Sequence, residues 1–380
     1  MRISTALPIP SRFIWLLSLA FLLPLTAHAQ SSASAEASAE AEQVARVNRW
    51  TVHIAGGTLA GSFIRFAAEL ATALDDGDDL RVLPVVTNGA TDNVTDLLYL
   101  KGIDVAILHA DVLEEYKVRR NVTNIDKRIS YISQMYVSEV HLYVRPEINS
   151  IQDLEGKTVG LHVKGAGQTT TGPIVFERNG VTPKFVFVNN KIGIQKMKTG
   201  EFAAIVHNGG KPNSLIRNLK PEAGFKLLPI PYEDKFADYY VPSSFTHDDY
   251  PALIKEGETI ETLGIPVVLG VYNWQPGTPR YRKVERFIEY YFKRFDRLRK
   301  PPFDPKWKGV NLGANVPGWT RFPPAQKMLD QMSVEARVGG SETKVDSTAA
   351  QELARALGIE TADEQKLFTE FMKWRQQQDK

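Results

Sequence analysis

The chain has 380 residues, 43% of them hydrophobic and 24% charged, which excludes a disordered, collagen-like or polytopic membrane chain and, at roughly 100 to 200 residues per domain, suggests two domains or two lobes. It contains no cysteine, so structural disulfides, thiolate zinc sites, a cysteine nucleophile and an acylated lipoprotein cysteine are excluded together. The formal charge is +2, and removing Arg2 and Arg12 with the amino-terminal segment leaves 44 basic against 44 acidic residues, so the basic stripe that nucleic-acid binding requires is not expected.

Arg2 and Arg12 precede the apolar run Phe13 to Leu25 and the Ala27-His28-Ala29 cleavage pattern, the order of a secretory signal peptide. Residues 31 to 43 (SSASAEASAEAEQ) are low-complexity and read as a tether or a partly helical segment. From Asn48 the chain alternates. Strands are expected at 50–55, 80–86 and 104–109, with helices over 63–74 and 94–100, the rhythm of βαβ units with a parallel sheet. A long β-rich run, 135–144, leads to a second series of the same build: a helix after Gly167, a strand at 185–188, a helix over 192–199, a strand at 203–207 and a helix over 212–219. A Pro- and Tyr-rich connection, 239–251, precedes an apolar strand at 265–272 and a charged helix over 279–298. The tail offers a helix starting at Asp346 or Ser347 and another behind the Thr361/Glu364 capping box, suited to docking a partner or packing on its own domain.

The expected organisation is therefore a signal peptide over 1–29, a linker over 30–47, lobe I over 48–137, lobe II over 138–261, a return to lobe I over 262–335 and a helical extension over 336–380, with crossovers near 137–145 and 260–270. The fold class is α/β, two-lobed, with the ligand cleft between the lobes. The informative loops all lie between a strand's carboxyl end and the next helix: Gly56 to Ser62, Thr87 to Asn93, Ala110-Asp111, Lys164 to Thr170 and Asn208 to Pro212. Helix starts offer unpaired N–H groups, and ligands of open α/β sheets bind outside the strands' carboxyl ends. Any one of these loops reads as an ordinary turn; the set of them, facing each other from two lobes, makes an anion-friendly cleft.

Assembled catalytic machinery is not visible. Gly165-Ala166-Gly167 lacks the last glycine of G-x-G-x-x-G, Gly210-Lys211 lacks the Walker spacing, and no G-x-S-x-G elbow or H-E-x-x-H pattern occurs. His53, His109 and His207 lie in strands near the loops, as structural histidines or within reach of the cleft; with Asp111 and a metal they offer a minor hydrolase reading. The acidic run Asp75 to Asp79 lacks the EF-hand order. No cofactor and no metal are expected.

The loops, in order, resemble the TAXI family of extracytoplasmic solute receptors, which serve TRAP transporters. AGGTLAGSFIRFAAELATAL (55–74) is similar to that family's glycine-rich opening; VTNGATDNVTDLLYLKGIDVAILHADVL (86–113) is similar to its next stretch at Gly89, Asn93, Leu98, Gly102, Asp104 and Asp111. IQDLEGKTVGLHVKGAGQTT (151–170) resembles the entry to its second lobe, shared with type II periplasmic binding proteins more broadly, and GEFAAIVHNGGKPNSLIRNL (200–219) and KLLPIP (226–231) resemble later segments of that lobe. The resemblance spans about residues 48 to 330. It departs at Ser62-Phe63, at Gln168 and at His207-Asn208, so the ligand is expected to differ from the acidic amino acids and dicarboxylates associated with the family.

The resemblance implies a non-enzymatic, periplasmic solute-binding protein of type II fold that closes on a small carboxylate-bearing solute (a dicarboxylate, amino acid or related organic acid) and delivers it to TRAP membrane subunits. The alternative is a periplasmic ligand sensor of the same fold, signalling to a membrane protein. The expected ligand contacts are Thr58, Ser62, Phe63, Asn88, Asn93, Asp111, Gln168, Thr169, Thr170, Asn208, Gly209 and Gly210, with hydroxyl, amide and N–H groups on the carboxylate and Phe63 on the solute body. Asp111 is suited instead to an amino group, and Lys164 and Lys211 are either countercharges or solvated rim residues.

Overall fold

The structure, a computed structural model, describes residues 23–59, 61–219 and 224–339. Most of the expected signal peptide, and the tail helices expected after Asp346 and Thr361, lie outside the described residues. The Ser/Ala/Glu segment belongs to one helix, α1 (Leu23–Arg49), consistent with the high helix propensity of its alanines and glutamates. No helix among the described residues is long and apolar enough to cross a membrane.

Lobe I is wound as β1 (Thr51–Ala55), α2 (Ser62–Leu74), β2 (Arg81–Val85), α3 (Ala90–Tyr99) and β3 (Val105–His109). Helix α2 turns Phe63, Phe66, Ala67, Leu70, Ala73 and Leu74 inward at helical spacing, and β3 is buried along its whole length, as a central strand covered on both faces must be. Two short turns, α4 (Val112–Glu114) and α5 (Ile125–Arg128), lead into β4 (Ile129–Val144). Lobe II repeats the winding: β5 (Thr158–Leu161), α6 (Gln168–Arg178), β6 (Lys184–Phe187), α7 (Asn190–Lys198) and β7 (Ala204–Gly209). Next come α8 (Ser214–Arg217), β8 (Lys226–Leu227), β9 (Val241–Thr246), β10 (Thr259–Tyr272), α9 (Pro279–Leu298) and α10 (Pro323–Gly339).

The strands run in the order β2-β1-β3-β10-β4-β7-β5-β6, with β8 on β4 and β9 on β10. Each lobe thus has its first strand in the middle, its second outside and its third innermost, a repeat in topology that leaves no fixed period in the sequence. Within each lobe these three strands are parallel. Strands β4 and β10 are antiparallel and pass from one lobe to the other: β10 pairs with β3 from Val267 to Val271, and with β4 from Gly264 opposite Glu139 to Tyr272 opposite Ile129. The other end of β4 pairs with β7, from Glu139 opposite Gly209 to Val144 opposite Ala204. Glu139 is therefore where β4 passes from one partner to the other, flanked by Gly264 and Gly209. A Cβ on Gly264 would lie 2.6 Å from Val137 and 3.0 Å from Val241, so only glycine fits where these strands converge. The result is a two-lobed α/β arrangement whose halves share the antiparallel strands β4 and β10.

Helix α9 returns to lobe I. Thr278 caps it, its hydroxyl accepting from the Tyr281 N–H at 3.2 Å, Pro279 opens it, and Val284, Phe287, Ile288, Tyr291, Phe292, Phe295 and Leu298 form its buried stripe. Lobe II has its own core around Tyr143, Met197, Phe202, Ile205, Phe245 and Tyr250. Two expectations shift. The helix expected over 212–219 shrinks to Ser214–Arg217, capped by Asn213, and the 239–251 connection contains β9. Residues up to Ala325 form one unit and those from Gln326 another; of the latter, the described part of α10 exposes Met332 and Val334.

Candidate functional site

The carboxyl ends of β1, β2 and β3 and those of β5 and β7 face each other, and the loops behind them meet. The carbonyl of Gly165, from lobe II, accepts from the N–H groups of Thr91 (3.1 Å) and Asp92 (3.3 Å) at the start of α3 in lobe I. These are donors that a helix leaves without an internal partner. Gly165 reaches them with φ of +88°, and a Cβ there would lie 2.2 Å from Asp92 Oδ2, so glycine is required on both grounds. Beside it the hydroxyls of Thr91 and Thr170 are 2.9 Å apart. A Cβ on Gly167 would fall 2.2 Å from His109 Nδ1, which places the start of α6 against the end of β3.

The deepest part of the contact is polar. Asp111 is fully buried; its Oδ2 accepts from the Thr171 hydroxyl at 2.5 Å and the Tyr240 hydroxyl at 3.0 Å. Asn208 Nδ2 donates to the same Thr171 oxygen at 2.8 Å. Burial pushes the Asp111 carboxyl up to about 7 against these two hydrogen bonds, with Glu114 nearby adding to the rise. His109 lies edge-on to Phe63 with ring centroids 5.0 Å apart, and burial drives it down to about 3, helped by His207. His207, taken down to about 4 by burial and then by His162, has its Nδ1 2.7 Å from Asn190 Nδ2 and 3.5 Å from Gln168 Nε2. This part of the lobe contact is therefore built of neutral histidines and a carboxyl poised near neutrality. Asp111 Oδ1, Asn208 Oδ1 and both ring nitrogens of His109 are buried without a hydrogen-bond partner among the described residues, an arrangement that calls for a ligand or solvent.

Glu139 closes the set from the crossover strand. Its Oε2 accepts from the Lys211 N–H at 2.7 Å and its Oε1 lies 3.5 Å from the Ser243 hydroxyl; burial lifts its carboxyl to about 7 despite Lys211. Among the described residues, no group of three or more His, Asp or Glu side chains is arranged to hold a metal ion.

The expected contacts separate into groups. Phe63, Asp111, Gln168, Thr170 and Asn208 come together at the lobe contact. Ser62 opens α2 and is half-buried. Gly209 ends β7 opposite Glu139, and a Cβ on Gly210 would strike Lys306 at 2.6 Å. Three others hold their own loops. Thr58 accepts from the Gly61 N–H at 2.8 Å, Thr169 donates to Ala166 O at 2.6 Å, and Asn93 binds the carbonyls of Gly56 (2.5 Å) and Ile107 (2.8 Å) while accepting from Thr87 (2.6 Å). Asn88 is exposed, its amide on Asp92. Lys164 lies 5.5 Å over the Phe187 ring, and Lys211 approaches Ser244 O and Asp249, so neither contacts the buried set through its side chain. Sequence reasoning passed over Thr171 and Tyr240. Thr171 lies three residues after Gln168 on the same helix, and that spacing was the available signal; Tyr240 comes from a distant connection with no local mark.

Residues 54–276 match the NMT1-like family. The chain belongs to that family. Among solved structures, this NMT1-like protein is similar to an ancestral arginine-binding protein bound to arginine, at 18% identity and a TM-score of 0.40, covering 66% of this chain and 96% of that one. It is also similar to the substrate-binding protein of an amino acid ABC transporter (14% identity, TM-score 0.38, 66% and 97% covered) and to the periplasmic VFT2 domain of Bordetella pertussis BvgS (14%, 0.39, 72% and 98%). Likeness at this level says nothing of this chain's ligand.

Proposed function

We propose that this NMT1-like protein is an extracytoplasmic solute-binding protein that closes on a small carboxylate-bearing solute and hands it to a TRAP-type membrane permease. Residues 1–29 serve as the signal peptide, 48–137 with 262–335 as lobe I, and 138–261 as lobe II. The observation that carries this reading is a buried polar set shared by both lobes: Asp111 from lobe I is held by Thr171 and Tyr240 from beyond the crossover, with acceptor oxygens left unpartnered beside it. A solute that joins both sides favours the closed state through contacts it makes only there. Phe63 packs on its apolar body, Gln168, Thr170 and Asn208 fix its polar groups, and the start of α6 faces its carboxylate.

The test is a thermal-shift titration of mature protein stripped of ligand by unfolding and refolding, against carboxylates, amino acids and sugars. Saturable stabilisation by one carboxylate-bearing compound, lost in Asn208→Ala, is expected. Stabilisation by sugars alone, or by nothing in the panel, overturns the proposal.

A further inference from the structure

We infer that Arg178 is a clasp between the lobes: from the last turn of α6 it holds both the segment behind β3 and the connection that carries Tyr240, and so favours the closed form before any solute arrives. The inference rests on the lobe closure of the binding-protein reading and adds a contact two helical turns away from the buried polar set.

Helix α6 meets lobe I at two levels. Thr171 in its first turn donates to Asp111, and Arg178, seven residues on, donates through Nη2 to Glu114, three residues beyond Asp111. Seven residues are two helical turns, about 10 Å along one face. One face of α6 therefore grips one segment of lobe I twice, once through a hydroxyl and once through a guanidinium. The same guanidinium donates through Nη1 to the carbonyl of Lys235 and lies 3.6 Å from Asp238. Just behind Lys235, the Tyr240 N–H donates to the Phe236 carbonyl at 3.0 Å, the two rings meet edge-on with centroids 5.8 Å apart, and the Tyr240 hydroxyl reaches Asp111. Arg178 thus ties α4, α6 and the 235–240 connection together. A second ion pair, Arg119 to Glu177 at 2.6 Å, crosses the lobes beside it.

Charge explains why this side chain matters. Arg178 and Glu114 are largely withdrawn from water, at 16% and 19% side-chain exposure, where losing one member of an ion pair strands the other. Burial lifts the Glu114 carboxyl, Arg178 and Arg119 pull it back, and Asp238 adds to the rise. Without Arg178, Glu114 and Asp238 oppose each other as two carboxylates, and a contact that joins the segments becomes one that parts them. A lysine keeps the charge but lacks the planar fork that spans the Lys235 carbonyl and the Glu114 carboxylate. Glu177 and Asp238, at 71% and 75% exposure, are the outer members. Salt screens such groups, since the Debye length falls from about 10 Å at 0.1 M to about 3 Å at 1 M. Closure should therefore slacken as ionic strength rises.

The chain has no cysteine, so Lys101→Cys in lobe I and Lys191→Cys in lobe II, both at exposed positions, take one spin label each. Pulsed electron–electron double resonance on the full-length mature protein, stripped of solute, then reads the distance between the lobes. The parent is expected to show mainly the short distance of this structure in about 0.1 M NaCl and a growing longer component towards about 1 M. Arg178→Met, which keeps the stem and removes the charge, should lower the closed-to-open ratio by about tenfold or more, and Arg178→Lys should fall between it and the parent. Glu114→Gln should lower the ratio by about threefold or more, and adding Arg178→Met to it should do less than Arg178→Met does alone, because both act through one contact. If Arg178→Met does not fold, Glu114→Gln and the salt series decide. Unchanged distances in the folded variants overturn the clasp, as do a parent that shows only the long distance and effects of the two substitutions that add in full. Because no solute is present, those results leave the binding-protein reading to the thermal-shift titration. A clasp that behaves as expected in a protein that binds no carboxylate overturns that reading alone.

Discussion

The Thr171 hydroxyl reaches Asp111 Oδ2 at 2.5 Å across sixty residues of sequence, joining the helix start of one lobe to the strand end of the other. Glycine backbone joins the lobes beside it: Gly165 offers its carbonyl to α3, and Gly167 yields room to His109. Side-chain chemistry concentrates at Asp111, and the surrounding glycines let the two lobes come near enough for it to matter.

Thr171→Val keeps the shape of the side chain and removes the hydroxyl. It leaves Asp111 with Tyr240 alone and orphans the amide of Asn208. Each orphaned buried polar group costs about 1–3 kcal/mol, so urea denaturation should show a loss of about 2 kcal/mol, largely restored by Thr171→Ser. A valine variant as stable as the parent would mean that these hydrogen bonds are not maintained in solution.

Gly167→Ala tests closure. The added methyl falls 2.2 Å from His109 Nδ1, a clash relieved only by moving the ring or separating the lobes, and overpacking of this kind costs about 1–3 kcal/mol. The solute that stabilises the parent protein should bind about tenfold more weakly, equivalent to about 1.4 kcal/mol. Gly309→Ala, where the methyl meets nothing within 4 Å, is the matched control and should be indifferent. Equal binding by the two variants would exclude this contact from the bound state.

Asn93 and Asn88 look alike in the sequence, two amides in one loop behind a strand. Their places differ. Asn93 is fully buried and ties Gly56, Ile107 and Thr87 together, whereas Asn88 is exposed. Asn93→Ala should therefore destabilise the protein by about 3 kcal/mol through the hydrogen bonds it breaks, with or without solute. Asn88→Ala should stay within about 0.5 kcal/mol. A ligand-dependent effect confined to Asn93 would return it to the binding site.

That pair shows where the sequence was legible. Glycines and threonines between apolar strands and amphipathic helices mark the strand-to-helix loops, because close backbone approach and helix starts demand those residue types, and the strands and most helices obey the hydrophobic period. Which polar side chain in a loop faces inward depends on backbone geometry that the residue type does not encode. Tyr240 reaches Asp111 from 129 residues away, a distance across which no local pattern operates. Strand β9 was masked for a different reason. It carries Pro242 opposite Leu263, and proline within a short polar run reads as a connection, although on an edge strand paired only with β10 it is tolerated.

The pH dependence of stability offers the last test, because the buried groups pull in opposite directions. Asp111 has its folded carboxyl raised to about 7 from 3.8, so the native state holds its proton more tightly than the unfolded chain. Its contribution is full below 3.8 and is lost as pH rises through 7. Glu139, raised to about 7 from 4.5, behaves alike. His109 and His207 are lowered to about 3 and about 4 from 6.5; their contribution is full above 6.5 and is lost as pH falls through those folded values. Between pH 4.5 and 6.5 these acids and histidines pull in opposite directions, and His141, which burial holds well below its ordinary value, adds to the histidine side. Asp111→Asn removes one acid from that balance, so its stability should fall more steeply on acidification than the parent's. The difference between the two should change by about 1.4 kcal/mol per pH unit, the value of one proton, and level off above pH 7. Urea denaturation of both proteins at pH 5, 6, 7 and 8, without solute, reads this directly. A difference that stays flat from pH 5 to 7 would place the Asp111 carboxyl at its ordinary value, with a compensating charge beside it in solution.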